Sequence, residues 1–340
     1  MRGANAPLWL AGAAVFTASA VLAGALVGPV NLGVGGVVRG AFAHIFGLHN
    51  PLSPTDDAIL WQVRLPRVVL GGIVGATLAL AGAAYQGGCR NPLADPYLLG
   101  AAAGAGLGAT LAVVYGPNGG FGGDLVPLAA FVGASLAVAA AYVLGRTAGA
   151  GAGAAALVLS GVTVAAFLTA VQTFVQQQNV QTVQEVYSWL LGRLSTSGWH
   201  EVYVVLPYAV VSWTVILLHR RLLDVLAVGD EEAAALGVRV ARVRVVVVVA
   251  ATIGTAAAVA VSGLIGFVGI IVPHTIRLLA GGSYRLLLPL TVLIGAGFLV
   301  FTDILARTII SPAELPIGVV TAFFGAPFFA IVLRTSRRGL

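Results

Sequence analysis

Residues 68–86, VVLGGIVGATLALAGAAYQ, decide the architecture: they carry no charge, and they are bounded by Arg67 before and Arg90 shortly after. An apolar run of about 20 residues matches the roughly 30 Å hydrocarbon core of a bilayer when coiled as a helix. The pattern recurs along the chain, near 8–28, 97–115, 125–144, 154–175, 202–218, 245–262, 264–280, 287–306 and 317–333. The expected fold class is therefore an all-α polytopic membrane protein of ten transmembrane helices, one domain over residues 1–340. A β-barrel is excluded because its strands alternate over about ten residues, half the length of these runs. The N-terminal run reads as the first span rather than a signal peptide, because more spans follow.

Composition agrees. Of 340 residues 59% are hydrophobic and 9% charged, against about 25% charged in a soluble domain; mean hydropathy is +0.99. The 45 glycines suit helices that approach closely, since small residues carry helix packing in lipid. Gly24/Gly28, Gly71/Gly75 and Gly100/Gly104/Gly108 each repeat every four residues and so share a helix face; in so glycine-rich a chain, chance repeats are the alternative. All 18 basic residues are arginine. A P-loop needs its lysine to reach the phosphates, so any ATPase must be another chain. The net charge of +6 is spread over short loops and forms no nucleic-acid stripe. Cys89 is alone and the five histidines follow no H-E-x-x-H spacing. No catalytic constellation, resident metal or cofactor is expected.

The charge bias sets orientation. With the N-terminus cytoplasmic, Arg2, Arg90, Arg146, Arg220, Arg221, Arg239, Arg242, Arg244, Arg277, Arg285, Arg334, Arg337 and Arg338 fall inside. Arg39, Arg64, Arg67, Arg193 and Arg307 fall outside. An even number of spans with both termini cytoplasmic fits this split.

Three polar segments interrupt the spans. Residues 29–67 lie outside. Residues 176–200 carry Val180, Val183, Val186, Leu190 and Leu194 at helical spacing, and read as an amphipathic helix across the outer mouth. In the inside loop 219–244, Asp230, Glu231 and Glu232 open and Gly237 closes a short helix, suited to a partner protein or simply a capped loop. Asn91-Pro92-Leu93-Ala94-Asp95-Pro96 cannot continue a helix, so Asn91 and Asp95 are expected to cap freed backbone, or else to touch substrate. Pro273 with Gly266 and Gly269 points to a short or broken eighth span. The fifth span carries Ser160, Thr163, Thr169, Gln172 and Gln176; neutral polar groups can line a wide pathway without trapping a solute, or simply mark the exit from the bilayer. Asp303 and Arg307, four apart, can neutralise each other near lipid. The remaining acids Asp124, Glu185, Glu201 and Glu314 lie near loops, which weighs against a proton relay.

Arg64-Leu65-Pro66-Arg67 followed by GGIVGATLALAGAAYQGGCRNPLADPYLLGAAAGAGLGA, then LAVGDEEAAALGV, SGLIGFVGIIVPHTIRLLAGG, DILAR and AELPIGVVTAFFGAPFF, resemble the FecCD/BtuC-type permeases of type II ABC importers over essentially the whole chain. The resemblance implies a subunit of the cell inner (cytoplasmic) membrane that pairs with a second copy of itself. Two ATP-binding-cassette ATPases would sit on the cytoplasmic side and a substrate-binding protein outside. It implies docking of that protein on Arg64, Arg67 and Arg307. It implies a coupling element of two short helices meeting at a glycine, matched by Asp230, Glu231, Glu232, Leu236, Gly237 and Arg239. It implies a pathway lined and gated by the fifth and tenth spans and by the short helix carrying Val180 and Val183, with Pro316 and Gly318 as hinge. A ferric siderophore is the expected substrate, with cobalamin and haem as alternatives: the histidines offer no clear axial ligand, and the glutamine-rich mouth suits an amide- or hydroxyl-rich solute. A secondary active carrier is the competing class.

Overall fold

A computed structural model describes residues 5–28, 30, 32–117, 125–147, 153–195, 198–311 and 313–336; Arg2, Asp124, Arg337 and Arg338 lie outside the described residues. The helices are α1 (Ala6–Leu26), α2 (Val34–Phe46), α3 (Pro54–Ala58), α4 (Leu65–Cys89), α5 (Ala101–Tyr115), α6 (Leu125–Thr147), α7 (Gly153–Gln178), α8 (Val183–Leu190), α9 (His200–Leu218), α10 (Arg220–Leu226), α11 (Asp230–Ala235), α12 (Val240–Ser262), α13 (Val268–Ala280), α14 (Tyr284–Thr308) and α15 (Ile317–Ser336). Ser53 starts α3 by accepting from the Asp56 N–H, with Pro54 behind it in the first turn. A π-helical turn, Ile59–Arg64, then carries the chain into α4 without a break. The expected outer loop 29–67 is thus largely helical.

Each expected span falls on a helix, but seven rather than ten helices among the described residues are long and apolar enough to cross a membrane by themselves. Of the remaining three, α5 and α13 are short, at 15 and 13 residues, whereas α15 runs 20 residues. Each begins only after a backbone break: Pro96–Leu99 and Gly100 before α5, Gly263–Phe267 before α13, Pro316 before α15. Thirteen residues of α13 rise only about 20 Å.

The core is organised around α4, which is buried over nearly its whole length and packs against α14, α12, α13 and α9. A second group, α5, α6 and α7, joins it through α12. The four-residue glycine faces are where backbones meet. Gly75 abuts the Gly295 carbonyl of α14, Gly104 the Gly133 carbonyl of α6, and Gly82 the backbone of Gly269 in α13. A methyl group at any of these would overlap main chain, which cannot yield as a side chain can. Gly82→Val is therefore expected to cost about 3 kcal/mol and to lower the thermal midpoint in detergent, whereas Gly12→Ala, with nothing within 4 Å, should leave it unchanged. Equal midpoints for the two variants would show that this packing is not what holds α13 to α4.

Candidate functional site

The three breaks before α5, α13 and α15 are stitched to one another. Inside a membrane, backbone left unpaired costs several kcal/mol, so non-helical segments persist there only when protein or cavity water satisfies them. The Tyr97 hydroxyl donates to the Ile265 carbonyl and accepts from the Ile265 N–H, both at 3.1 Å. Arg193 N–H donates to the Ser262 carbonyl at 2.8 Å, and Gly318 N–H to the Leu191 carbonyl at 3.1 Å. Gly318 is also wedged beside the Leu264 carbonyl, where a side chain would not fit. Phe267, at φ 68°, occupies the left-handed region that a bulky residue rarely adopts, and its ring lies directly over Gly325 of α15. The α12–α13 break thus touches α5, α8 and α15 at once.

Asn91 and Asp95 act as local caps. Asn91 Oδ1 accepts from Leu93 N–H at 2.9 Å, and Asp95 Oδ1 from Tyr97 N–H at 2.8 Å.

At the end of the bundle where α4 begins, Asp303 is 2% exposed and bridges two arginines. Arg67 donates to it at 2.9 Å and Arg307 at 3.0 Å. Arg67 also reaches the half-exposed Glu314 at 2.9 Å. Arg307 further donates to the carbonyls of Val27 and Gly24 at the end of α1. Arg64 differs from its expected role. It is 3% exposed, and its guanidinium donates to the carbonyls of Ala25, Leu26 and Val30. Its donors satisfy the C-terminal carbonyls of α1, which have no intrahelical partner, so it presents no free surface charge.

At the opposite end, α11 is anchored through Asp230, which pairs with Arg244 at 3.0 Å and Arg90 at 3.8 Å. Arg244 also donates to the Gly88 carbonyl in α4 at 2.7 Å. Ala233 is buried, while Glu231, Glu232, Leu236 (71% exposed) and Arg239 face outward. Gly237 takes φ 82° with nothing around it. The two short helices are α10 and α11, joined through Ala227–Gly229; Gly237 stands where the chain leaves α11 for α12, rather than between the two.

The expected pathway residues divide. Thr163, Thr169, Val180 and Val183 are exposed and Gln176 half-buried. Ser160 and Gln172 are buried: the Ser160 hydroxyl donates to the Ala141 carbonyl of α6 at 2.8 Å, and the Gln172 amide covers Gly106 of α5. Both side chains thus pack against neighbouring helices.

A family model of the FecCD transport family matches residues 13–335. The chain belongs to that family. A solved structure of a candidate metal-chelate type ABC transporter in an inward-facing conformation superposes with a TM-score of 0.83 at 29% identity, covering 97% of this chain and 99% of that one. An uncharacterized ABC transporter permease, YvrB of Bacillus subtilis, is 39% identical over 95% of this chain and 92% of its own. The cobalamin import permease BtuC of Halobacterium salinarum is 42% identical over 82% of this chain and 74% of its own. The Fe(3+)-citrate import permease YfmD of Bacillus subtilis is 37% identical over 83% of each. This FecCD member is thus a multi-pass permease subunit of a type II ABC importer of metal chelates, working with ATPase and substrate-binding components. Among its described residues no group of three His, Cys, Asp or Glu could hold a metal ion.

Several residues of this site carry no sequence signal. Phe267 has none, since a left-handed phenylalanine follows no propensity rule. Tyr97 could have been suspected only as the aromatic after Asp95-Pro96. Arg244 is one arginine among several in a loop, and only the fold brings it to both Asp230 and Gly88.

One outcome follows for this permease. Asp303→Asn leaves two buried guanidinium groups short of a counter-charge and should cost about 3–5 kcal/mol, read as loss of folded protein on size exclusion with little rescue by salt; a variant as stable as the parent would show the bridge to be dispensable.

Proposed function

We propose that the chain imports a ferric siderophore by alternating access, as a homodimer driven by two ATPase subunits at the α11 end and supplied by a binding protein at the Arg67 end. The observation that carries this is the continuity between the exposed α11 and the broken helices. Asp230 is held by Arg244, Arg244 by Gly88 of α4, and two residues earlier Gln86 donates to Gly269 of α13 at 2.9 Å. Arg277 of α13 donates back to Gln86. A push on α11 therefore meets a bonded chain leading to the α12–α13 break and, through Phe267, to α15.

In this reading the α11 end is cytoplasmic with both termini, and α5, α13 and α15 complete a bundle of ten spans with their preceding breaks. Glu231, Glu232, Leu236 and Arg239 meet the ATPase. Gly237 lets α11 pivot, because only glycine takes its φ without strain. Thr163, Thr169, Gln176, Val180 and Val183 face the pathway, and Pro316 with Gly318 sets the hinge of α15. Docking falls to Arg67 and Arg307 without Arg64. A carboxylate on the binding protein would replace Glu314 on Arg67 and so release the segment leading into α15.

Cobalamin is the second reading, supported by the 42% identity to a cobalamin import permease. Affinity of the cognate binding protein for a ferric siderophore panel and for cobalamin decides between them; preference for cobalamin removes the first.

The test of class is uptake in proteoliposomes holding permease, ATPase and binding protein. Uptake is expected to require ATP and to survive an uncoupler; uptake that collapses with the proton gradient while ATP is held constant marks a secondary carrier. Gly237→Trp should keep ATP hydrolysis within about twofold while lowering transport about tenfold or more, a loss of about 1.4 kcal/mol of coupling. An unchanged ratio of transport to hydrolysis removes Gly237 from the coupling element.

A further inference from the structure

A cavity of about 750 Å³ lies between α6 and α9 with α12 as its floor. Both helices pack on α12, and the small side chains of Ala257 and Ala260 keep that floor low. Across the groove the rings of Phe131 and Tyr208 meet at 5.3 Å between centroids and bound it. Its volume falls in the range of sites that hold a small organic ligand.

Three features define the occupant. The walls are apolar and run into the bilayer-facing sides of the same two helices: Leu128, 58% exposed, lies on the groove and Leu136 continues α6 outward, as Val204 and Val211 do on α9. The rim at one end is ionic, with Arg193, His200 and Glu201 together. That rim lies at the start of α9 and the end of α12, where helices leave the hydrocarbon and where headgroups sit. A hydrophilic metal chelate does not match the apolar walls. An amphiphile with a long apolar chain, a phosphate and an ammonium matches all three.

We propose that this cavity is a lipid site, in which one acyl chain of phosphatidylethanolamine lies between α6 and α9. Its phosphate meets Arg193 and His200, and its ammonium meets Glu201. The lipid fills the space between two helices that both pack on α12 and meet each other at Phe131 and Tyr208, and so belongs to the folded subunit rather than to its solvent.

Trp189 lines the cavity and is only 4% exposed, so bromine atoms on a lipid chain there quench it selectively. The full chain is prepared with Trp189 as sole tryptophan, the other four changed to phenylalanine, in nanodiscs containing a small fraction of phosphatidylethanolamine with brominated chains. A companion chain keeps only Trp9, 36% exposed on α1, to report bulk lipid. Trp189 is expected to be quenched at a brominated fraction about tenfold below that needed for Trp9. Ala260→Phe, which fills the floor, should abolish the difference, and Glu201→Gln should weaken it about tenfold through loss of a charged hydrogen bond. Quenching of Trp189 that only tracks Trp9, or that survives Ala260→Phe, overturns the proposal. Equal quenching by brominated phosphatidylglycerol overturns the headgroup assignment. Native mass spectrometry of the chain with all its tryptophans gives a second measurement: one phosphatidylethanolamine per chain is expected, absent from Leu128→Trp, whose exposed position spares the fold. No bound lipid, or one indifferent to that substitution, also overturns it.

Discussion

The structure depends on one constraint: every backbone N–H and C=O within the membrane must find a partner in the protein. Unbroken helices meet it internally, and α4, α12 and α14 do so over 23 to 25 residues. The chain departs from helix where three other segments begin, and there the demand is met across elements. The Tyr97 hydroxyl serves both polar groups of Ile265, Leu191 serves Gly318, and Ser262 serves Arg193. The same accounting explains Arg64, whose charge would be costly near lipid but whose donors close the open end of α1.

Close backbone approach makes this stitching feasible. The glycine contacts of α4 with α13 and α14 bring main chain against main chain, which in lipid supplies the packing energy that hydrophobic burial cannot. With α4 fixed in this way, Gln86 and Gly88 near its end become rigid anchor points for α13 and Arg244. Rigidity at the centre localises any motion to the breaks.

The sequence made the class and most of the topology legible because apolar run length is a one-dimensional signal. Each of the ten runs read from the chain falls on a helix, though only seven helices among the described residues are long and apolar enough to cross a membrane; Gly75 marks a contact face with α14, and Gly104 and Gly108 one with α6. What was not legible depends on where a run starts being helical. Nothing in residues 97–115 says that the first turn is 3-10 and that α5 is only 15 residues long. Likewise a charge count puts Arg64 beside Arg67 at one surface, yet one residue turns inward to carbonyls and the other to Asp303. Side-chain direction beyond a π-helical turn is a property of three dimensions. Ser160 and Gln172 turn toward α6 and α5 for the same reason: polarity along a helix does not reveal which face meets a neighbour.

The asymmetry of packing bears on how such a bundle can move. One part, α4 with α12 and α14, is interlocked and buried. The other, α7 and α15, is attached by fewer elements: α7 rests on α5 and α6, and α15 on α13 and α14. Segments with little burial open at lower free energy than the core, so α7 and α15 can shift while α4 stays. The specific restraints on α15 include the Gly318 bond to Leu191, the Phe267 ring over Gly325, the His274 ring against Phe328, and Glu314 on Arg67. Phe267 already holds an unfavourable backbone angle, of the kind that costs about 1–3 kcal/mol and is kept where surroundings enforce it. Moving α15 away removes part of that enforcement, so relief at Phe267 offsets some of the lost contact. The strain held at Phe267 therefore lowers the free energy needed to displace α15.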